Sequence, residues 1–294
     1  MTTHPEHPGP ADRGAVPDGE RTAWLVPTAV LGGIGALVLL TAGGATAAAS
    51  LSIEQHRLET TVTEPVTAVE VDGRSAVVEV VTADVEHVLV EAVHAGFRLE
   101  DVPEPQVENG RLTLAAPPSG SWFGTGSWIG PRGGMQVRVT VPAEDEPVDL
   151  RLSGRAGTLS AEGDFRDVRL ETEAGVVEVQ GSARSLWASS EVGAVSLDGV
   201  RVREDLDVHT EVGATEVRLT GDAPRRVSVT TRAGAIEAEV QDAAWWTPVV
   251  AGADERGTGR LTAAAVCAGA PEDRPCLFVR SAVGAAEVAY AARP

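Results

Sequence analysis

Glu173, Glu191 and Glu211 follow one another at intervals of 18 and 20 residues, each two positions before a glycine. Arg155 and Arg232 hold the same place before Gly157 and Gly234. Carboxylates stacked about 4.8 Å apart in one outward row repel by roughly 1 kcal/mol in water. A hard cation such as calcium relieves that repulsion through carboxylate oxygens. One carboxylate per repeat falls short of the roughly six to eight oxygens calcium takes. A solvated acidic face closed off by two arginines is therefore expected. These three glutamates remain the metal candidates, and no metal or other cofactor is expected.

A second cluster is aromatic. Residues 117–134 read PPSGSWFGTGSWIGPRGG and carry Trp122, Phe123, Trp128 and Ile129. Large apolar side chains on a Gly/Ser/Pro loop mark a partner-binding surface. The competing reading folds the rings back onto the body of the protein. The Gly124, Gly126 and Gly130 spacing lacks the flanking strand and helix that a nucleotide loop needs. Trp187, Asp207 and Phe278 fall in one outward row, where two aromatics would stack on a sugar ring or be covered by a neighbouring segment. The six histidines show no metal-ligand spacing, and His209 reads as a lone exposed ladder member. Cys267 and Cys276 are nine positions apart with no nearby histidine, which suits a local disulfide in an oxidising compartment.

The charge balance excludes several classes. The 294 residues carry 43 acidic and 24 basic side chains, a formal charge of −19. A nucleic-acid binder needs a basic surface to displace counterions, so none is expected here. All 24 basic residues are arginine, which removes Schiff-base lysines and P-loop lysines.

The elements that position these residues are repeats. One pattern recurs six times, with central glycines at 157, 175, 193, 213, 234 and 284. Copies such as LDVHTEVGATEV and VSVTTRAGAIEA alternate apolar and polar residues on both sides of the glycine. Period two predicts strands with one inward face, and the glycine supplies a bend. Counting from each copy's start, the first, third, fifth and seventh positions are expected to face inward. The fifth holds Gly154, Thr172, Ser190, Thr210, Thr231 and Ser281, an internal hydroxyl ladder that needs backbone partners. A period near 20 predicts an all-β, single-stranded β-solenoid, right-handed and β-helix-like. The final coil, ending near Tyr290, should cap it.

The expected organisation has five parts. Residues 1–22 form a cytoplasmic tail and 23–51 one transmembrane helix, long and uncharged enough to span. Residues 52–62 form a stalk, and 63–149 irregular β coils interrupted by the aromatic loop. Residues 150–294 form the repeat, with an insertion at 239–276. Gly32, Gly33, Gly35 and Ala36 offer a small-residue face for a helix-mediated oligomer. Ala45-Thr46-Ala47 offers the alternative of a cleaved signal and a secreted product. Either way the region beyond about residue 52 is exported.

The alternating strands, the V-T-V-P strand end at Val139–Pro142 and the repeated [TS]-x-[AV]-G-x-x-x-[VLA] element resemble the bacterial "putative adhesin" β-solenoid family. The resemblance covers about residues 60–290. It implies a membrane-anchored β-solenoid and assigns no catalytic residues. The arginine-rich, lysine-free composition resembles that of a high-GC actinobacterium.

The expected function is non-enzymatic: a single-pass, extracytoplasmic protein that binds a cell-surface protein or glycan, held in the bilayer by its N-terminal helix. A regulatory membrane subunit of an envelope-stress system is the alternative. A β-helix carbohydrate enzyme ranks below both, because its acids would cluster rather than spread along rows.

Overall fold

The computed structural model describes residues 55–95, 104–115, 135–143, 146–243, 245–251, 267, 270–271 and 274–291. The described chain is all-β, a single curled sheet of twelve strands with no helical element. No helix among the described residues is long and apolar enough to cross a membrane. Segments 1–22 and 23–51 lie outside the described residues.

Alternation of apolar and polar residues builds β1 (Gln55–Val62), β2 (Ala68–Asp72), β3 (Ala76–Ala83) and β4 (Val88–Ala95). β5 (Gln106–Glu108) and β6 (Arg111–Ala115) form a hairpin across Asn109-Gly110. Both turn residues have positive φ, 51° and 75°, the conformation that an Asn-Gly turn supplies. β7 (Met135–Pro142) precedes β8 (Asp149–Leu219), β9 (Arg226–Gln241), β10 (Trp246–Ala251), β11 (Cys276–Val283) and β12 (Ala286–Ala291).

β8 is 71 residues of uninterrupted strand pairing that turns at its glycines and returns alongside itself. A Cβ on Gly175 would lie 1.9 Å from the Gly157 carbonyl oxygen, and one on Gly193 the same distance from that of Gly175. The glycines therefore form a column in which each backbone rests on the previous one. Parallel pairing extends the stack to β9, with Gly213 opposite Gly234, and from β9 to β11 and β12. At the other end β2 and β3 pair with β8, and β6 and β7 lie beyond them. β1–β4, β4–β7 and β5–β6 are antiparallel. Residues 55–62, expected within a stalk, are thus an edge strand paired along its whole length with β4.

The inward rows are as the alternation requires. Leu150, Leu186, Leu206, Val227 and Leu277 repeat the first position and are all buried. The fifth row is buried too, from Thr172 through Ser190, Thr210 and Thr231 to Ser281. Its hydrogen bonding differs from the expectation. Only Ser281 donates to a backbone carbonyl, that of Gly234 at 3.0 Å. Thr210 pairs with Thr215 Oγ1 at 2.8 Å. The hydroxyls of Thr172, Ser190 and Thr231 have no partner among the described residues.

Two further expectations are corrected. The seventh row does not face inward: Val192 and Val212 are 55% and 49% exposed. The positive φ at the following glycine, 146° at Gly193, turns the chain before alternation can place this row inside. The last coil is also not the end of the stack, because β10 adds a parallel strand on β11. Trp245 packs against the core beside it and donates Nε1–H to the Gln241 carbonyl at 2.9 Å. Cys267 and Cys276 form the disulfide, tying residue 267 to the first residue of β11.

Candidate functional site

Along the stack, the residues two and four positions before each glycine point outward, while the Thr/Ser between them points in. That geometry leaves a groove. Its cavity volume is about 360 Å³, and Asp72, Glu171, Glu173, Glu191 and Glu211 supply five carboxylates to its lining. Arg155 and His209 also line it. The three glutamates of the acidic row thus share one groove. Asp72 and Glu171 were not singled out from sequence. Glu171 was legible, since it sits two residues before Glu173 on the same outward face. Asp72 was not, because β2 lies outside the repeat and reaches the groove through its parallel pairing with β8, which sets Asp72 opposite Ser153.

The electrostatics differ along the row. Arg155 Nε lies 4.0 Å from Glu173, and Arg232 Nη2 3.0 Å from Glu211. Glu191, between them, makes no ion pair among the described residues. Asp72 pairs with Arg74 at 3.7 Å and Glu171 with Arg169 at 3.4 Å. Outside the groove some acids are matched as closely. Arg166 donates to both oxygens of Asp149, at 2.7 and 2.5 Å. Arg184 repeats this on Asp167, and Arg225 reaches Asp205 at 3.2 Å. The Arg166 hydrogen bond and charge hold the Asp149 carboxyl below its usual range. Of the groove's five carboxylates, Glu191 alone has no ion pair among the described residues. No cluster of three or more His, Cys, Asp or Glu side chains suits a metal ion among the described residues.

The expected aromatic row is broken up by the fold. The Arg169 guanidinium covers one face of Trp187, 3.7 Å from the ring centroid. Phe278 is not exposed. It is 1% exposed, lies outside the main core and pairs in register with Val249 of β10. Asp207, between them in the row, is half-buried. Burial raises its carboxyl pKa, opposed in part by a hydrogen bond from Ser228 and by Arg226 and His209. The native state thus holds this proton more tightly than the unfolded chain. The group's contribution is full below the unfolded value of about 3.9 and is lost as pH rises through the raised native value. Asp207→Asn is expected to be more stable than wild type at pH 7, with the difference vanishing toward pH 3. Urea denaturation at the two pH values checks this. His209 accepts or donates one bond, Nδ1 to Thr230 Oγ1 at 3.0 Å.

Trp122, Phe123, Trp128 and Ile129 lie outside the described residues.

No protein-family model and no curated protein sequence matches the chain. Among solved structures it is similar to a "putative adhesin" from Bacteroides fragilis, at 14% identity and TM-score 0.46, over 81% of this chain and 98% of that one. A "putative cell adhesion protein" from Clostridium sporogenes matches at 13% identity and TM-score 0.38, over 81% and 100%. A "putative lipid binding protein" from Parabacteroides distasonis matches at 12% identity and TM-score 0.35, over 81% and 96%.

Proposed function

We propose that this protein is a non-enzymatic binding protein of the cell surface. Residues 23–51 anchor it as a single transmembrane helix, with residues 1–22 inside and the β region outside. The stacked turns form a right-handed β-solenoid whose acidic groove engages positively charged groups on a surface protein or glycan. The observation that carries this reading is the groove itself. Repeats 18 to 20 residues apart deliver Glu173, Glu191 and Glu211 to one continuous concavity. A surface of that kind suits an extended ligand, met repeat by repeat, better than a single reacting bond.

The test is binding of residues 52–294, displayed on cells behind the native anchor, to arrays of cationic peptides and of cell-wall glycans. Binding should weaken as salt rises. Glu173→Gln, Glu191→Gln and Glu211→Gln combined should weaken it at least about tenfold, or roughly 1.4 kcal/mol. Binding unaffected by the triple change would move the site elsewhere. Turnover of any polysaccharide would overturn the non-enzymatic reading.

A further inference from the structure

The groove is already partly filled by the chain's own cations. Arg155, Glu173, Glu191, Glu211 and Arg232 each stand two residues before a glycine of the stacked column, so they follow one another layer by layer. At about 4.8 Å per layer, Glu191 lies roughly 10 Å from the arginine layer at either end. Arg155 Nε reaches Glu173 at 4.0 Å, and Arg232 Nη2 reaches Glu211 at 3.0 Å. The other two carboxylates of the lining are treated alike, Asp72 by Arg74 and Glu171 by Arg169. Four of the five carboxylates thus hold a guanidinium from this chain, and Glu191 holds none among the described residues.

The four arginines are not held equally. Arg74 and Arg169 side chains are 38% and 45% exposed, and the Arg169 guanidinium also rests on Trp187. Arg155 and Arg232 side chains are 74% and 61% exposed. Exposed ion pairs of that kind are weak, so an incoming cation can displace them. Beside the vacant carboxylate, Val192 is 55% exposed and offers an apolar seat for the methylene stem of an arginine.

Given the cation-binding groove proposed above, on which this step rests, we infer that Arg155 and Arg232 are internal competitors for the groove and that an arginine side chain of a partner protein enters at Glu191. The resident guanidinium groups show the chemistry that these carboxylates accept. A partner with one arginine engages Glu191 alone. A partner with several takes Glu173 and Glu211 as well, but only by displacing Arg155 and Arg232. The two arginines thereby set how many cations the unmodified groove takes.

The experiment uses the full chain and two acetylated, amidated peptides, one carrying three arginines and one carrying a single arginine, followed by fluorescence anisotropy at low salt. Arg155→Gln combined with Arg232→Gln should tighten binding of the three-arginine peptide at least about threefold, as the loss of two weak competitors allows. The same change should leave the single-arginine peptide within about twofold. Arg201→Gln combined with Arg203→Gln is the charge-matched control, since both side chains are exposed and neither lines the groove. It should leave binding of both peptides within about twofold. Glu191→Gln should weaken both peptides at least about threefold. Far-UV circular dichroism of each variant confirms that the sheet persists. Equal tightening by the two arginine pairs would make the gain a matter of net charge and overturn the inference. Salt-sensitive binding that ignores Glu191→Gln and the groove arginines would overturn the inference alone. No binding of either peptide by any variant would overturn it together with the cation-binding role of the groove.

Discussion

Gly213→Ala is expected to unfold the repeat region. An alanine Cβ there would sit 1.7 Å from the carbonyl oxygen of Gly193 and 2.8 Å from its carbonyl carbon. The obstacle is backbone, and no rotamer relieves it. The φ of 149° is unfavourable for an L side chain as well. The layers cannot part locally, because Val212 pairs with Ala233 and Ala214 with Ala235 on either side of the glycine. The loss should exceed about 5 kcal/mol, in the class reserved for severe strain. Gly199→Ala is the control. Its φ is 66°, yet nothing lies within 4 Å of the added carbon. It should cost only about 1–2 kcal/mol, the left-handed penalty alone. Urea denaturation followed by circular dichroism separates the two. A Gly213→Ala protein as stable as Gly199→Ala would mean that the glycines do not stack.

Removing three buried hydroxyls should stabilise the protein. Thr172, Ser190 and Thr231 occupy three copies of one inward row, with Thr210 between the last two, and are at most 4% exposed. None of their hydroxyls has a partner among the described residues. A buried hydroxyl without a hydrogen bond costs about 1–3 kcal/mol relative to its solvated state. Thr172→Val and Thr231→Val keep the branched shape, and Ser190→Ala removes only the oxygen. Combined, they should raise unfolding free energy by about 3–6 kcal/mol, measured by urea denaturation. Thr210→Val is the opposite case. Its oxygen bonds Thr215 at 2.8 Å, so the change leaves Thr215 unpaired and should destabilise by about 1–3 kcal/mol. A loss of stability in the triple variant would contradict the account of this row.

Much of this architecture was legible in the sequence, because a repeat imposes the same physics six times. The alternation placed the first, third and fifth rows inside, and the structure keeps them there. The acidic row was legible for the same reason, and so was the disulfide. What the pattern lost lies where the period is interrupted. The seventh row is apolar, and apolar residues in alternation read as inward. A glycine at positive φ reverses that at Val192 and Val212. Phe278 read as exposed by register, yet it is buried, beside a β10 strand that has no repeat of its own. β1, β4 and β5 pair antiparallel through residues outside the repeat, so periodicity carried no information about them. The hydroxyl row was placed correctly, whereas its partners depend on where each neighbouring carbonyl points.

The claim on which the groove rests is that the copies stack in register, turning one glutamate per repeat into one surface. Spin labels at Glu178→Cys and Glu287→Cys test it directly, since both native cysteines are engaged in the disulfide. Each site lies three residues after its glycine, and Glu287 pairs with Glu237, which pairs with Glu216. The two sites are four layers apart, so pulsed electron–electron resonance should give a narrow distribution near 19 Å of backbone separation, broadened by the label linkers. A broad distribution centred beyond about 30 Å would contradict the stacking, and with it the groove.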